Sequence, residues 1–201
     1  EKNTAYGNPG KAFNCDGVCN STFKNNLVYG NPGSGFALYV TDASKGSSDN
    51  LIYNNTVVMQ SAGDWCIKIP SASYSGGSGD PTGNKLKNNI FTAPSGNGTL
   101  MTYSSAPTGF QSDYNVVMDS FSIDDGDSSI SLATWRTYGF DTHSIISNPT
   151  ALFVNPGSND YHLKDGSPAI NAGTTLSEVT DDQDAVPRPQ GGAYDICCYE
   201  K

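Results

Sequence analysis

Four lysines in the sequence are of a type that could act as catalytic bases: Lys24, Lys68, Lys85 and Lys87. A lysine can abstract the proton next to a uronate carboxylate, and Ca²⁺ can neutralise that carboxylate during the elimination. This chemistry needs the base to lie among carboxylates and arginines, and no such cluster stands out in the sequence. The alternative is that all four lysines are exposed side chains that keep the protein soluble.

Tyrosines form the second group of candidates, because an aromatic ring on an outer face can stack on a sugar ring. The candidate glycan-binding residues are Tyr39, Tyr74 and Tyr103. Trp65 is expected in the core instead, since strand alternation within residues 63–69 puts it on the apolar side.

Two acidic runs could supply the oxygen ligands that Ca²⁺ prefers. One spans residues 124–127, and the other contributes Asp181, Asp182 and Asp184. Neither run matches an EF-hand or the glycine-aspartate repeats of calcium-binding β-rolls. We take Asp181, Asp182 and Asp184 as candidate metal ligands with Ca²⁺ as the candidate cofactor. The alternative is that both runs are solvated turns.

The five cysteines are Cys15, Cys19, Cys66, Cys197 and Cys198. Zinc is disfavoured, because Cys15 and Cys19 are separated by three residues and lack a matching downstream pair. A small Cys15–Cys19 disulfide loop is plausible in an oxidising compartment. The odd count then leaves at least one thiol unpaired or bonded to another chain.

Three N-x-S/T sequons begin at Asn20, Asn54 and Asn97. They are candidate glycosylation sites if the chain passes through a eukaryotic secretory pathway. An asparagine-rich chain also produces about this number of sequons by chance.

The composition restricts the fold that must position these residues. The chain has 201 residues, including 22 Gly, 11 Pro and 11 Tyr, and only 15% of its residues are charged. It is too apolar and aromatic for disorder, and its many turn-forming residues indicate short strands joined by polar turns. We predict an all-β protein.

The formal net charge of −9 argues against nucleic acid as a partner, because binding a polyanion needs a basic surface. No apolar run approaches the ~18 residues that cross a bilayer. We therefore expect neither a nucleic-acid partner nor a membrane span.

A short pattern recurs along the first 120 residues: KNTAYGN (2–8), NNLVYGN (25–31), NNTVVMQ (54–60), NNIFTAP (88–94) and YNVVMDS (114–120). Its marker asparagines, Asn3, Asn26, Asn55, Asn89 and Asn115, are 23, 29, 34 and 26 residues apart. This loose period predicts a solenoid, a right-handed parallel β-helix whose loops vary in length. The asparagines would occupy one corner, where their amides tolerate a left-handed backbone and hydrogen-bond from coil to coil.

The last third of the chain does not repeat and is rich in Pro, Gly and Asp. Its best helix candidate lies near Ser131–Tyr138. We expect residues 1–120 to form the coils, and residues 121–201 to be an irregular capping segment of the same domain that closes the end of the solenoid.

The tail carries four distinctive motifs: WRTYGFDTHS (135–144), ALFVNP (151–156), DYHLKDGSPAINAG (160–173) and DAVPRPQGGAYDI (184–196). These motifs resemble the C-terminal portion of secreted bacterial right-handed parallel β-helix proteins of the polysaccharide-lyase-like and choice-of-anchor types. The resemblance covers essentially the whole chain. It implies the β-helix fold, a secreted or cell-surface location and association with polysaccharide. His143 and His162 lie inside these motifs, which favours packing or hydrogen bonding over catalysis.

One departure from the resemblance concerns the end of the chain. Similar proteins end in Asp-Ile-Gly-Ala-Tyr-Glu, whereas here Cys197 and Cys198 replace the Gly and the Ala. Two adjacent cysteines could form an intermolecular bond or simply pack.

Two functions follow from these observations. In the first, the chain is the C-terminal part of a polysaccharide-lyase-like or polysaccharide-binding protein and is not an enzyme by itself; any activity would be that of a lyase. In the second, it is a subunit of a surface fibre whose β-helices assemble end to end. Because a repeat begins at residue 2, we expect the first coil to contact another copy of the chain or a preceding β-helix segment.

Overall fold

The computed structural model describes residues 1–59, 64–94 and 96–201. Short strands dominate these ranges, because runs of three to five apolar or β-branched residues are separated by turn-forming Gly, Asn and Ser. The first part contains β1 (Thr4–Tyr6), β2 (Phe13–Asp16), β3 (Thr22–Lys24), β4 (Leu27–Tyr29), β5 (Phe36–Tyr39), β6 (Leu51–Tyr53), β7 (Thr56–Val58), β8 (Trp65–Ile69), α1 (Ala72–Ser75), β9 (Lys85–Lys87), β10 (Ile90–Thr92), β11 (Gly98–Thr102) and β12 (Gln111–Asp113). The second contains β13 (Val116–Val117), β14 (Phe121–Ser122), α2 (Leu132–Arg136), β15 (Ile145–Ile146), α3 (Pro149–Leu152), β16 (Phe153–Asn155), a 3-10 turn (Pro156–Ser158) and β17 (Asp160–Leu163).

Three parallel sheets hold most of these strands, and the chain visits the sheets in turn. Sheet A has the order β1-β4-β7-β10-β13-β15, sheet B the order β2-β5-β8-β11-β14 and sheet C the order β3-β6-β9-β12. We call each passage through the three sheets a repeat, so β1, β2 and β3 form the first repeat. The prediction of a predominantly β protein with stacked parallel strands is confirmed.

The pairing register reproduces the spacing of the marker asparagines. Thr4 pairs with Leu27, Leu27 with Thr56, Thr56 with Ile90 and Ile90 with Val116. Each of these residues directly follows a marker asparagine, so the sequence period is the register of sheet A.

The marker asparagines form the predicted hydrogen-bonded ladder. In each step the backbone N–H and the Nδ2 of one asparagine donate to Oδ1 of the next; from Asn26 to Asn55 these distances are 3.1 and 2.8 Å. The ladder ends within the chain, where Asn115 donates from its backbone N–H to Ser144 Oγ and from Nδ2 to Asp141 Oδ1. Buried polar groups are thus satisfied along the whole corner.

The left-handed backbone at this corner belongs to the residue before each marker asparagine. The φ angles of Asn25, Asn54 and Asn88 are 54°, 50° and 57°. The prediction that the marker asparagines themselves make the left-handed turn is therefore wrong by one position. The first asparagine of the pair makes the turn, which leaves the second free to form the ladder.

One hydrophobic core receives side chains from all three sheets, including Val57 of sheet A, Ile67 of sheet B and Leu86 of sheet C. Trp65 is buried as expected. The end of the core beyond sheet B is covered by α2, which lies inside the predicted helical stretch and begins after the N-cap Ser131. Trp135 of α2 is fully buried and stacks on Phe121, with ring centroids 5.2 Å apart.

Residues 149–200, which we call the C-terminal cover, lie along the outer face of sheet A. Leu27, Ile90 and Val116 of that face pack in one cluster with Phe153 and with residues 196–199. The tail was expected to close the end of the stack. The structure instead divides it: α2 covers the end, β14 and β15 extend the sheets, and the cover runs along the side because sheet A presents apolar residues there.

Candidate functional site

A cleft of about 180 Å³ lies on the outer face of sheet B. It is lined by Lys11, Ala37, Tyr39, Thr41, Lys68, Pro70, Tyr74 and Ser75. It therefore brings together Tyr39 and Tyr74, two of the three tyrosines predicted to bind glycan.

The floor of the cleft follows from strand alternation. In β5, Phe36 and Leu38 belong to the core cluster, so Ala37 and Tyr39 face outward. Ala37 pairs with Lys68 of β8, which places the lysine beside the small alanine side chain. The small floor residue leaves room between the larger side chains around it.

Helix α1 presents Tyr74 to the cleft, and its ends are fixed by hydrogen bonds. Ser71 is the N-cap, and its Oγ accepts from the backbone N–H of Tyr74 at 3.0 Å. Asp125 holds Ser71 in turn, accepting from its backbone N–H at 2.7 Å and from its Oγ at 2.6 Å. At the other end Thr41 Oγ1 donates to the carbonyl of Ser75 at 2.9 Å. The Tyr74 side chain is 58% exposed on this fixed turn.

Two lysines give the cleft a positive charge within an acidic protein. Lys11 Nζ lies 4.4 Å from the centre of the Tyr39 ring, within the range of a cation–π contact. Lys68 Nζ lies 2.5 Å from Asp64 Oδ2, and that oxygen also accepts from Ser34 Oγ. Asp64 offsets the charge of Lys68, and Asp16 lies near Lys11, so the cleft combines two lysines with neighbouring carboxylates beside the tyrosine rings.

Tyr103 lies apart from the other two tyrosines and does not line the cleft. Its hydroxyl donates to the carbonyl of Pro81 at 3.0 Å, and partial burial raises its pKa. The structure therefore brings Tyr39 and Tyr74 together and places Tyr103 elsewhere, while glycan binding by each of the three tyrosines stays a prediction.

The three predicted metal ligands are directed to different protein partners. Asp181 forms an ion pair with Lys2 at 2.7 Å. Asp182 is buried and accepts from the backbone N–H groups of residues 184, 186 and 200. Asp184 accepts from His162 Nε2. No group of three His, Cys, Asp or Glu side chains in the described part of the chain could hold a metal, so the predicted calcium site is not formed.

The predicted Cys15–Cys19 disulfide is not formed either. Cys15 faces the core, where burial raises its pKa to about 11. The Cys19 thiol lies in the turn after β2 and donates to the carbonyls of Gly17 and Gly46. All five cysteines are free thiols, and Cys197 and Cys198 of the cover are fully buried against the outer face of sheet A.

The three sequons differ in accessibility. Asn20 and Asn97 are exposed. Asn54 is fully buried, and its Nδ2 donates to the carbonyls of Asp195 and Cys197. A glycan on Asn54 is incompatible with this structure, whereas Asn20 and Asn97 stay predictions.

The two histidines make hydrogen bonds, as expected from their positions in the tail motifs. His143 Nδ1 lies 2.7 Å from Asp113 Oδ2, and its ring stacks on Tyr114.

A second depression of about 240 Å³ beside Asp113 contains Lys87 but none of the predicted tyrosines.

His162 joins two parts of the cover. Its Nδ1 lies 2.7 Å from Asp160 Oδ1 and its Nε2 lies 3.0 Å from Asp184 Oδ2, while its ring stacks on Tyr199. Burial lowers the pKa of His162, but its hydrogen bonds to Asp184 and Asp160 outweigh burial, and the pKa is raised overall.

A buried ion pair explains much of the tail sequence. The guanidinium of Arg188 pairs with Glu200, and both side chains are fully buried. Arg188 also donates to the carbonyls of Asp181 and Cys197. These bonds hold three parts of the cover together, which is a structural role for residues that the sequence alone left unassigned.

Sequence reasoning missed Lys11 as a cleft residue. Lys11 precedes β2 and has no alternation or repeat pattern that would place it over Tyr39. Lys68 follows Ile67 of the core cluster in β8, so strand alternation places the lysine on the outer side.

Comparison of the chain with protein-family models, curated proteins and solved structures found no match. Among the residues that the structure describes, no helix has both the length and the apolar character to cross a membrane.

Proposed function

We propose that this chain is a parallel β-helix protein that binds an acidic polysaccharide in the cleft around Tyr39 and Tyr74. One observation carries the proposal: two tyrosine rings and two lysine amines converge on one small cleft of an acidic protein. Tyrosine rings can pack against the apolar face of a sugar, and lysines can pair with its carboxylate or sulfate.

The sheet topology supports the β-helix part of the proposal, since the chain visits sheets A, B and C in turn with in-register parallel pairing. The tail motifs that resemble secreted β-helix proteins support a secreted or cell-surface location. The cleft volume of about 180 Å³ is below the ~300–1,000 Å³ of sites for drug-sized ligands. We therefore propose that the cleft holds a single sugar unit of a longer chain.

Binding to a panel of polysaccharides tests the proposal. We expect isothermal titration calorimetry to detect binding of a uronate polymer, such as polygalacturonate or alginate, but not of a neutral glucan. Tyr39→Ala should weaken binding by about tenfold or more, because it removes a ring and the cation–π contact that positions Lys11 in the cleft.

Tyr138→Ala is the matched control, since Tyr138 is exposed on the segment after α2 and does not line the cleft. Equal losses of affinity for Tyr39→Ala and Tyr138→Ala would contradict the proposed site. Equal binding of neutral and acidic polymers would contradict the role of the lysines.

We propose binding without catalysis for this chain. No arginine lines the cleft, and Lys68 is paired with Asp64, so the set of groups that uronate elimination needs is incomplete. If incubation with a uronate polymer generated ultraviolet-absorbing unsaturated ends, the chain would be a lyase and this part of the proposal would fail.

A second candidate function is structural, namely end-to-end assembly of β-helices into a surface fibre. The observation that favours it is the stacking of parallel strands in sheets A, B and C, a packing that can continue from one molecule to another. Size-exclusion chromatography with light scattering, with and without reductant, tests it. Monomers at all concentrations would show that identical chains do not assemble by themselves.

A further inference from the structure

The depression of about 240 Å³ beside Asp113, which we call the sheet C depression, lies on the outer face of β9 and β12. Its lining includes Lys87, Phe110, Gln111, Asp113, Gly139 and Phe140. Leu86 of β9 faces the core, so Lys85 and Lys87 on either side of it face outward. The register places Gln111 of β12 beside Lys85. It also places Asp113 beside Lys87, so four polar side chains share this face.

Asp113 does not neutralise the lysine beside it, because its carboxylate is held by His143. Its Oδ1 accepts from the backbone N–H of His143 at 2.8 Å, and its Oδ2 lies 2.7 Å from His143 Nδ1. The imidazole stacks on Tyr114, with ring centroids 4.6 Å apart, which fixes this arrangement. Among the residues that the structure describes, no carboxylate lies within ion-pair distance of the Lys85 or the Lys87 amine.

Two neighbouring lysines without a counter-ion favour an anionic ligand. The chain has a formal net charge of −9, and several of its other lysines do form ion pairs with carboxylates, namely Lys2, Lys24, Lys68 and Lys201. Lys85 and Lys87 are two residues apart on one strand face, roughly 7 Å, so their ammonium groups repel each other. An anion bound beside them removes this repulsion and accepts charge-assisted hydrogen bonds.

An aromatic wall lies beside the two lysines. Phe140 is partly exposed, and its ring lies 5.1 Å from that of Phe110 and 4.8 Å from that of Trp135. Gly139 precedes it with a φ of 91°, and a Cβ at this position would meet open space. The sheet C depression therefore combines an aromatic surface with unpaired amines, which suits a ring that carries an anionic group.

We propose that the sheet C depression is a second sugar-binding site, which holds one acidic sugar unit with its carboxylate on Lys87 and its ring against Phe140. Gln111 supplies an amide donor and acceptor for the sugar hydroxyls. The class of ligand rests on the proposed function. The location is independent of it, because the lining of this depression shares no residue with that of the sheet B cleft.

Nuclear magnetic resonance titration of the ¹⁵N-labelled whole chain with galacturonate tests the proposal. The amide signals of residues 111–113 report on the sheet C depression, and those of residues 37–39 report on the sheet B cleft. We expect both sets of signals to shift. Methyl galactoside, which has no carboxylate, and sulfate, which has no ring, should each bind at residues 111–113 at least about tenfold more weakly.

Lys87→Met should weaken galacturonate binding at residues 111–113 by about tenfold and leave binding at residues 37–39 unchanged, because Lys87 lines only the sheet C depression. Lys45→Met is the matched control, since it removes the same charge from an exposed lysine that lines neither site. We expect the control to bind galacturonate as the native chain does.

Gln111→Glu tests the role of charge without removing a lysine. The change places a carboxylate of nearly the same shape beside Lys85 on the exposed outer face, where the fold tolerates it. We expect galacturonate binding at residues 111–113 to weaken by about tenfold, because the new carboxylate offsets the lysines and repels the anion. Unchanged binding would overturn the role of the two lysines.

The remaining outcomes separate the two sites. Absence of shifts at residues 111–113, or equal losses for Lys87→Met and Lys45→Met, would overturn the proposed second site. Sulfate or methyl galactoside binding as tightly as galacturonate would overturn the acidic sugar as its ligand. Shifts at residues 111–113 without shifts at residues 37–39 would support the second site and contradict the sheet B cleft.

Discussion

The outer faces of sheets A and B differ in their residues, although both sheets pack against the same core. The outer face of sheet A presents Leu27, Ile90 and Val116, and the C-terminal cover buries them. The outer face of sheet B presents Lys68 beside Ala37 and carries an open cleft. Strand register fixes which residues face outward, while the residue type decides whether the face is covered or left open.

The paired asparagines show how the covered face is held. The second asparagine of each pair joins the ladder, while the first donates to the cover. Asn25 Nδ2 donates to the Asp181 carbonyl at 2.8 Å, and Asn88 Nδ2 donates to the Thr174 carbonyl at 2.7 Å. In the first repeat Lys2 replaces the first asparagine and forms an ion pair with Asp181. Each asparagine pair thus forms the turn at the corner and also attaches the cover to sheet A.

Thiol reactivity should show the largest contrast between covered and open regions. Cys197 and Cys198 are fully buried between the rest of the cover and sheet A, whereas Cys19 is only half-buried in its turn. We expect Cys19 to react with a thiol reagent at least roughly a thousandfold faster than either, because buried thiols react only when the structure opens. Labelling of the native protein followed by peptide mass spectrometry measures this ratio. If only three of the five cysteines reacted after denaturation, the Cys15–Cys19 disulfide would be present and the free thiols would be contradicted.

Removing one member of the buried ion pair should have the largest effect on stability. Arg188→Met leaves the Glu200 carboxylate buried without its partner, and we expect a loss of about 3–5 kcal/mol in the free energy of unfolding. Lys68→Met on the open face removes a partly exposed ion pair and should cost below about 1 kcal/mol. Urea denaturation compares the two variants. Equal losses of stability in the two variants would contradict the difference between the covered and the open face.

Breaking the asparagine ladder should lower the free energy of unfolding somewhat less than breaking the buried ion pair. Asn55→Ala removes the Oδ1 that accepts from Asn26 and leaves buried donors unpaired, so we expect a loss of about 2–4 kcal/mol. Asn97→Ala is the control, because Asn97 is exposed and makes one long bond to Asp64 at 3.3 Å. A loss for Asn55→Ala no greater than for Asn97→Ala would show that the ladder is not a source of stability.

The smallest effect should be the pH dependence of the stability that His162 gives to the cover. Because the pKa of His162 is raised in the folded state, its contribution to stability is fully present below the pKa of an unfolded histidine, about 6.5. The contribution is lost as the pH rises through the raised value in the folded protein. We expect His162→Gln to lower the urea midpoint at pH ~5 and to have less effect at pH ~9. The contribution should stay below about 1 kcal/mol, because the side chain is half exposed.

The sequence by itself determined the spacing of the repeat and the strand register that this spacing requires. Marker asparagines 23 to 34 residues apart fixed the register of sheet A, because an amide ladder requires each asparagine to lie beside the next. The helical stretch around α2 was also readable, since Ser131 is a favourable N-cap before Leu132 and Trp135. These features depend on residues whose partners are set by a local or periodic rule.

The tertiary structure alone decided where the tail lies and which side chains form the cleft. The acidic residues of the tail were expected to bind metal, but Asp181 and Asp182 are used by an ion pair and by backbone N–H groups. The approach of Lys11 to Tyr39 and the pairing of Arg188 with Glu200 likewise follow no period. Contacts of this kind depend on how irregular loops pack on the sheets, and packing is a property of the whole chain.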